Sequence, residues 1–126
     1  MDHGRGSLRE LSERLTRLHR LLLDRERLAY EAQHGAVPSR DLFNLLLHDA
    51  AFAWLRPLSQ MIARIDELVD ARGPLPEADA RRLLQETHAL LKSDAQDAFH
   101  DNYRDALQGS PDVVMAHADV SKLLKS

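Results

Sequence analysis

The chain has 126 residues, 44% of them apolar and 29% charged, with a net charge of −3 and no cysteine. This balance suits one folded domain spanning 1–126 and argues against disorder. The slightly negative charge excludes nucleic-acid binding through bulk positive charge, and the absence of cysteine excludes disulfides, thiolate zinc sites and a cysteine nucleophile.

The opening MDHGRGSLRE lacks the apolar run of a signal peptide. Ser7 and Glu10 match the S-x-x-E capping box, which predicts a first helix over about 8–34. Leu8, Leu11, Leu15, Leu18, Leu22 and Ala29 form its apolar stripe, and Gly35 followed by Val37-Pro38 ends it. Glu10-Arg14 and Glu13-Arg17 stand four apart in the favourable order on the solvent side.

A second helix is predicted over about 40–72, kinked near Pro57 because proline cannot donate its backbone hydrogen bond. Its stripe reads Phe43, Leu47, Ala50, Ala51, Trp54, Leu58, Met61, Ile62, Ile65, Leu68 and Val69. The most apolar stretch, residues 42–61, includes Asn44, His48, Asp49 and Arg56. Each is costly inside a bilayer, so the stretch is not read as a membrane span. A third helix over about 76–108 presents Ala80, Leu83, Leu84, Thr87, Leu91, Ala95, Ala98 and Asn102, flanked by Phe99 and Tyr103. Gly109 stops it, and Ser110-Pro111 supplies N-cap and first residue for a short fourth helix, 111–124, with the stripe Val113, Ala116, Val120, Leu123 and Leu124. Short connections make neighbours antiparallel, giving an all-α, up-down-up-down four-helix bundle with three long helices and a short C-terminal fourth. The fourth is expected to pack where the second begins.

A site inside a bundle needs inward side chains, so helix phase decides which chemical spacings can form one. Glu31-x-x-His34 and Asp97-x-x-His100 resemble di-iron bundle spacing, but Glu31 and His100 fall nearly opposite their stripes. Glu10-x-x-Glu13, Glu67-x-x-Asp70 and Asp94-x-x-Asp97 resemble the magnesium sites of all-α nucleotide pyrophosphohydrolases; most of these carboxylates point outward and read as surface pairing. Arg14-x4-His19 is similar to the spacing of HEPN-type ribonucleases in two residues alone. Asp94, Asp97, Asp101 and Asp105 form an acidic row that reads as salt bridges to neighbouring arginines.

One polar constellation survives the filter: His48, Asn102 and His117 border apolar stripes within about two helical turns of one another. They are the candidate metal or ligand residues, in a reading that extends to hydrolase- or nuclease-like chemistry; no specific cofactor is implied. Leu42, Leu45, Leu46, Phe52 and Ala53 are apolar beyond the second helix's stripe and are the candidate interface. The preferred reading is a non-enzymatic, cytoplasmic bundle, a homo-oligomer or partner-binding module, with no membrane and no nucleic acid. The excess of arginine over lysine, with abundant Leu and Ala, fits a GC-rich bacterial genome.

Overall fold

The computed structural model describes residues 3–124, whose regular structure is helical throughout. The elements are α1 (His3–His34), α2 (Ser39–His48), α3 (Arg56–Asp70), α4 (Glu77–Lys92), α5 (Ala98–Gly109) and α6 (Pro111–Leu124), with a 3-10 segment, Ala50–Leu55, between α2 and α3. The all-helical expectation holds. The expected count of four helices gives way to six among the described residues, because the second and third predicted helices are each broken.

The leucine stripe makes α1 the spine. Leu8, Leu11, Leu15, Leu18 and Leu22 are all fully buried. On one flank α3 runs antiparallel to α1: Arg5 reaches Val69, Ser12 donates to Asp66, and His19 meets Ser59. On another, α6 runs antiparallel, with Gly109 against Arg25 and the Asp119 carbonyl accepting from Arg14. The capping box is not formed. The helix already runs from His3, so Ser7 is an interior, exposed residue and Glu10 pairs with Arg14 at 2.9 Å. Ala29 is exposed, and Tyr30 takes the inward place against Phe52, ring centroids 5.5 Å apart. Gly35 ends α1 as expected, at φ +85°, a conformation that favours glycine. Glu31 accepts from the Val37 N–H, and Arg27 holds the Val37 carbonyl, fixing the turn.

The expected helix over 40–72 breaks at Asp49 instead of kinking. Asp49 is extended (φ −86°, ψ 139°), and its carboxylate accepts from the Ala51 N–H at 2.8 Å. Aspartate side chains offer the backbone this local alternative to a helix. Arg56 holds the corner, donating to the Leu46 and Asp49 carbonyls. Pro57 falls in the first turn of α3, where a missing N–H costs nothing.

The break resets the helical phase. Phe43 and Leu47, expected on the buried stripe, are 66% and 47% exposed. Leu46 and Phe52, expected at an interface, are core residues at 8% and 0%. Leu42, Leu45 and Ala53 are half-buried, the two leucines packed against the same core. Phe52 meets α1 through Tyr30, so the expectation that the C-terminal helix covers this stretch is also corrected: α6 packs chiefly on α1 and α5.

The helix expected over 76–108 breaks in the same way at residues 93–97, Ser-Asp-Ala-Gln-Asp. Ser93 Oγ accepts from the Ala95 N–H, and Asp97 caps α5 by accepting from the His100 N–H at 2.9 Å. Again the phase shifts. Phe99, His100, Tyr103 and Ala106 are buried, whereas Ala95, Ala98 and Asn102, expected inward, are exposed. At α6 the expectation holds: Ser110 Oγ accepts from the Val113 N–H, Pro111 opens the helix, and Val113, Ala116 and Val120 are buried.

Candidate functional site

A short helix that buries one side chain is unusual beside such a core. In α2 only Leu46 is fully inside, and the helix packs chiefly against the 3-10 segment that follows it. Phe43 and Leu47, four apart, therefore form one outward apolar face. Leu28 on α1 and Val114 and Met115 on α6 are the other large apolar side chains left outside among the described residues.

The predicted metal or ligand residues have separate surroundings. His48 is exposed at the C-terminus of α2. Asn102 is exposed on α5 and returns its amide N–H to the Ala98 carbonyl at 2.7 Å. His117 Nδ1 lies 2.6 Å from the Tyr103 hydroxyl. Among the described residues, no group of three or more His, Asp or Glu is placed to hold a metal ion.

Three histidines are built into polar pairs. The buried Tyr103 hydroxyl shares a hydrogen bond with His117 Nδ1, and burial pushes the phenol well above its usual range. Burial, then the Lys92 charge, holds the His117 imidazole below its ordinary value. His19 Nε2 sits 2.6 Å from Ser59 Oγ across the α1–α3 contact, and burial lowers its pKa too. Ser59 Oγ also approaches the Leu55 carbonyl at 3.3 Å. A hydroxyl that donates to that carbonyl is not free to give its proton to histidine, and the pair ties two helices together. His100, expected to face solvent, is 8% exposed; Nδ1 lies 2.7 Å from Asp97 and Nε2 3.2 Å from the Ala89 carbonyl. The His100 backbone N–H, then its side chain, hold the Asp97 carboxyl below its usual range.

Two open concavities flank these elements. A groove of about 470 Å³ lies between α3 and α4, reaching His100 of α5, with Met61, Leu90 and Pro57 among its lining residues. Arg64 and Glu86 cross it at 2.6 Å, a charge contact out of line for a hydrogen bond. A crevice of about 460 Å³ is lined by Arg25, Glu26, Leu28 and Ala29 of α1, Trp54 of the 3-10 segment, and Asn102 and Asp105 of α5. Trp54 donates its indole N–H to Glu26 Oε1 at 2.6 Å, and its ring centroid stands 5.9 Å from that of Phe99. Of this set only Asn102 was singled out by periodicity as a candidate ligand residue. The crevice exists because the breaks at Asp49 and at 93–97 bring Trp54 and α5 to the C-terminal half of α1, and no single-helix pattern encodes that.

No helix among the described residues is long and apolar enough to cross a membrane. No family model matches the chain, and no curated protein and no solved structure is similar to it.

Proposed function

We propose that this chain is a non-enzymatic helical domain that acts through helix-face contacts, with the outward face of α2 as its contact surface and a second copy of the chain as the occupant. One observation carries the reading: Phe43 and Leu47 stand exposed on a short helix whose inward side, Leu46 with the half-buried Leu42 and Leu45, already meets the core. An apolar pair at i,i+4 is a minimal helix-in-groove anchor. A cytoplasmic setting fits a chain with no cysteine.

Light scattering tests this. The wild-type chain is expected to dimerise at roughly 100 μM, a concentration that populates complexes of micromolar Kd. Phe43→Glu with Leu47→Glu is expected to give a folded monomer. A wild-type chain that stays monomeric throughout removes the proposal. A Zn²⁺ or Ni²⁺ titration followed by thermal unfolding separates it from metal binding through His48, Asn102 and His117, which predicts a raised Tm.

A further inference from the structure

The crevice beside Trp54 contains a carboxylate that the fold leaves without a cation. Glu26 is half-buried, and its one partner among the described residues is the neutral indole N–H. Other half-buried glutamates differ: Glu10 pairs with Arg14, Glu31 with Arg27 and Glu86 with Arg64. Arg25 also lines the crevice, but it turns to Asp105 at 3.5 Å, and its guanidinium lies 2.9 Å from where a Gly109 Cβ would stand.

Acceptor oxygens dominate the polar groups of the crevice, although Asp105 is shared with Arg25. Glu26 and Asp105 carry only acceptor oxygens, and Asn102, which gives one amide N–H to Ala98, offers its Oδ1 as an acceptor beside its second N–H. An ammonium is the complement of that set, since it has three donors and no acceptor. Trp54, with Glu26 at its ring edge, adds the apolar surface of its indole. Leu28, 69% exposed, and Ala29 supply apolar surface along the same wall. The volume of about 460 Å³ falls within the range of small-molecule sites. A divalent metal is a poorer fit, because no group of three His, Asp or Glu converges among the described residues.

We propose that this crevice binds a small organic cation with an apolar body, a primary alkylammonium of about four to six carbons. Its ammonium sits on Glu26, toward Asp105 and the Asn102 carbonyl, and its chain lies along Trp54 and Leu28. The site is independent of the α2 face.

Trp54 is the only tryptophan of the chain, so intrinsic fluorescence reads this crevice directly. Titration with n-pentylammonium chloride, against sodium chloride at matched ionic strength, is expected to give a saturable change with Kd of about 0.1–1 mM. Glu26→Gln should weaken binding at least about tenfold, the loss of one charge-assisted contact, and Asp105→Asn by less. Because Glu26→Gln also alters the indole contact, its far-UV circular dichroism and Tm are measured alongside. A second measurement on the wild-type protein, the ¹³C shift of the Glu26 carboxyl, should move with the same Kd. A fluorescence change that never saturates, a stationary Glu26 carboxyl, an undiminished affinity in a folded Glu26→Gln variant, or equal binding of 1-pentanol would each overturn the proposal.

Discussion

Phe43 and Phe52 are nine positions apart on either side of one break, and they meet opposite environments. Phe52 is fully enclosed, with Tyr30 against its ring, whereas Phe43 is 66% exposed. The cost of truncation follows burial. Phe52→Ala should lose about 3–5 kcal/mol through the lost transfer term and the cavity left behind. Phe43→Ala should change monomer stability by less than about 0.5 kcal/mol. Urea unfolding of the two variants at low protein concentration, where no dimer forms, checks the pair. Equal losses would mean that α2 is turned the other way. The choice between these two phenylalanines was not legible in the sequence. An unbroken helix puts them on opposite faces, Phe43 on the stripe and Phe52 off it, and the break at Asp49 reverses their places.

At the scale of elements, helices that one stripe runs through without interruption were readable, and those with a polar corner inside them were not. The Leu8–Leu22 stripe, the stop at Gly35 and the Ser110-Pro111 start of α6 all appear where the pattern places them. Asp49 and Ser93-to-Asp97 broke two helices that propensity alone would continue. In each, short polar side chains bond the nearby backbone, and tertiary partners secure the corner: Arg56 at the first, His100 and Arg104 at the second. At the second corner the positions after the break change face, which is why His100 and Asn102 exchanged their expected places; at the first it is α2, before the break, that turned, while Leu58, Met61, Ile65 and Val69 stay buried where the stripe puts them. The crevice lining was illegible for the same reason, since Glu26, Trp54 and Asp105 meet only after both corners have turned. Another corner is held from far away. Arg5 donates to the carbonyls of Val69, Ala71 and Gly73, at the end of α3 and the turn beyond it. Arg5→Ala should cost about 0.5–1.5 kcal/mol, the net worth of a hydrogen bond, since water can replace the exposed bonds to Ala71 and Gly73. Amide exchange should quicken at 69–73 while α6 amides keep their protection beyond the global change; uniform acceleration would show that Arg5 is not a local cap.

For the molecule as a whole, acidity acts through His19 and His117. Burial lowers both folded-state pKa values. Each imidazole in the unfolded chain therefore takes up its proton first as pH falls through the ordinary histidine value of about 6.5. The unfolded state then binds more protons, so stability falls as pH drops below that value and levels off once the folded-state pKa values are passed. The carboxyl of Asp97 works in a lower window, because its depressed pKa stabilises the fold above the usual carboxylate range and is lost below it. A thermal scan series from about pH 7.5 to 5 should show Tm declining, with a shallower decline in His19→Gln and in His117→Gln. An unchanged slope in both variants would remove these two histidines as the cause.

The position of α1 at the centre also has a consequence during synthesis. Its leucine stripe is made before the helices that cover it, and one of its two main covering partners, α6, begins at Pro111, far behind His34 where α1 ends. At 5–20 residues per second the ribosome takes roughly four to fifteen seconds to add the intervening chain. During that interval α3 can shield one flank, but the flank that α6 will occupy stays open to water and to other nascent chains. A chain cut short before Pro111 would leave that flank open for good, and such truncations are expected to aggregate although every break and cap upstream of them is intact.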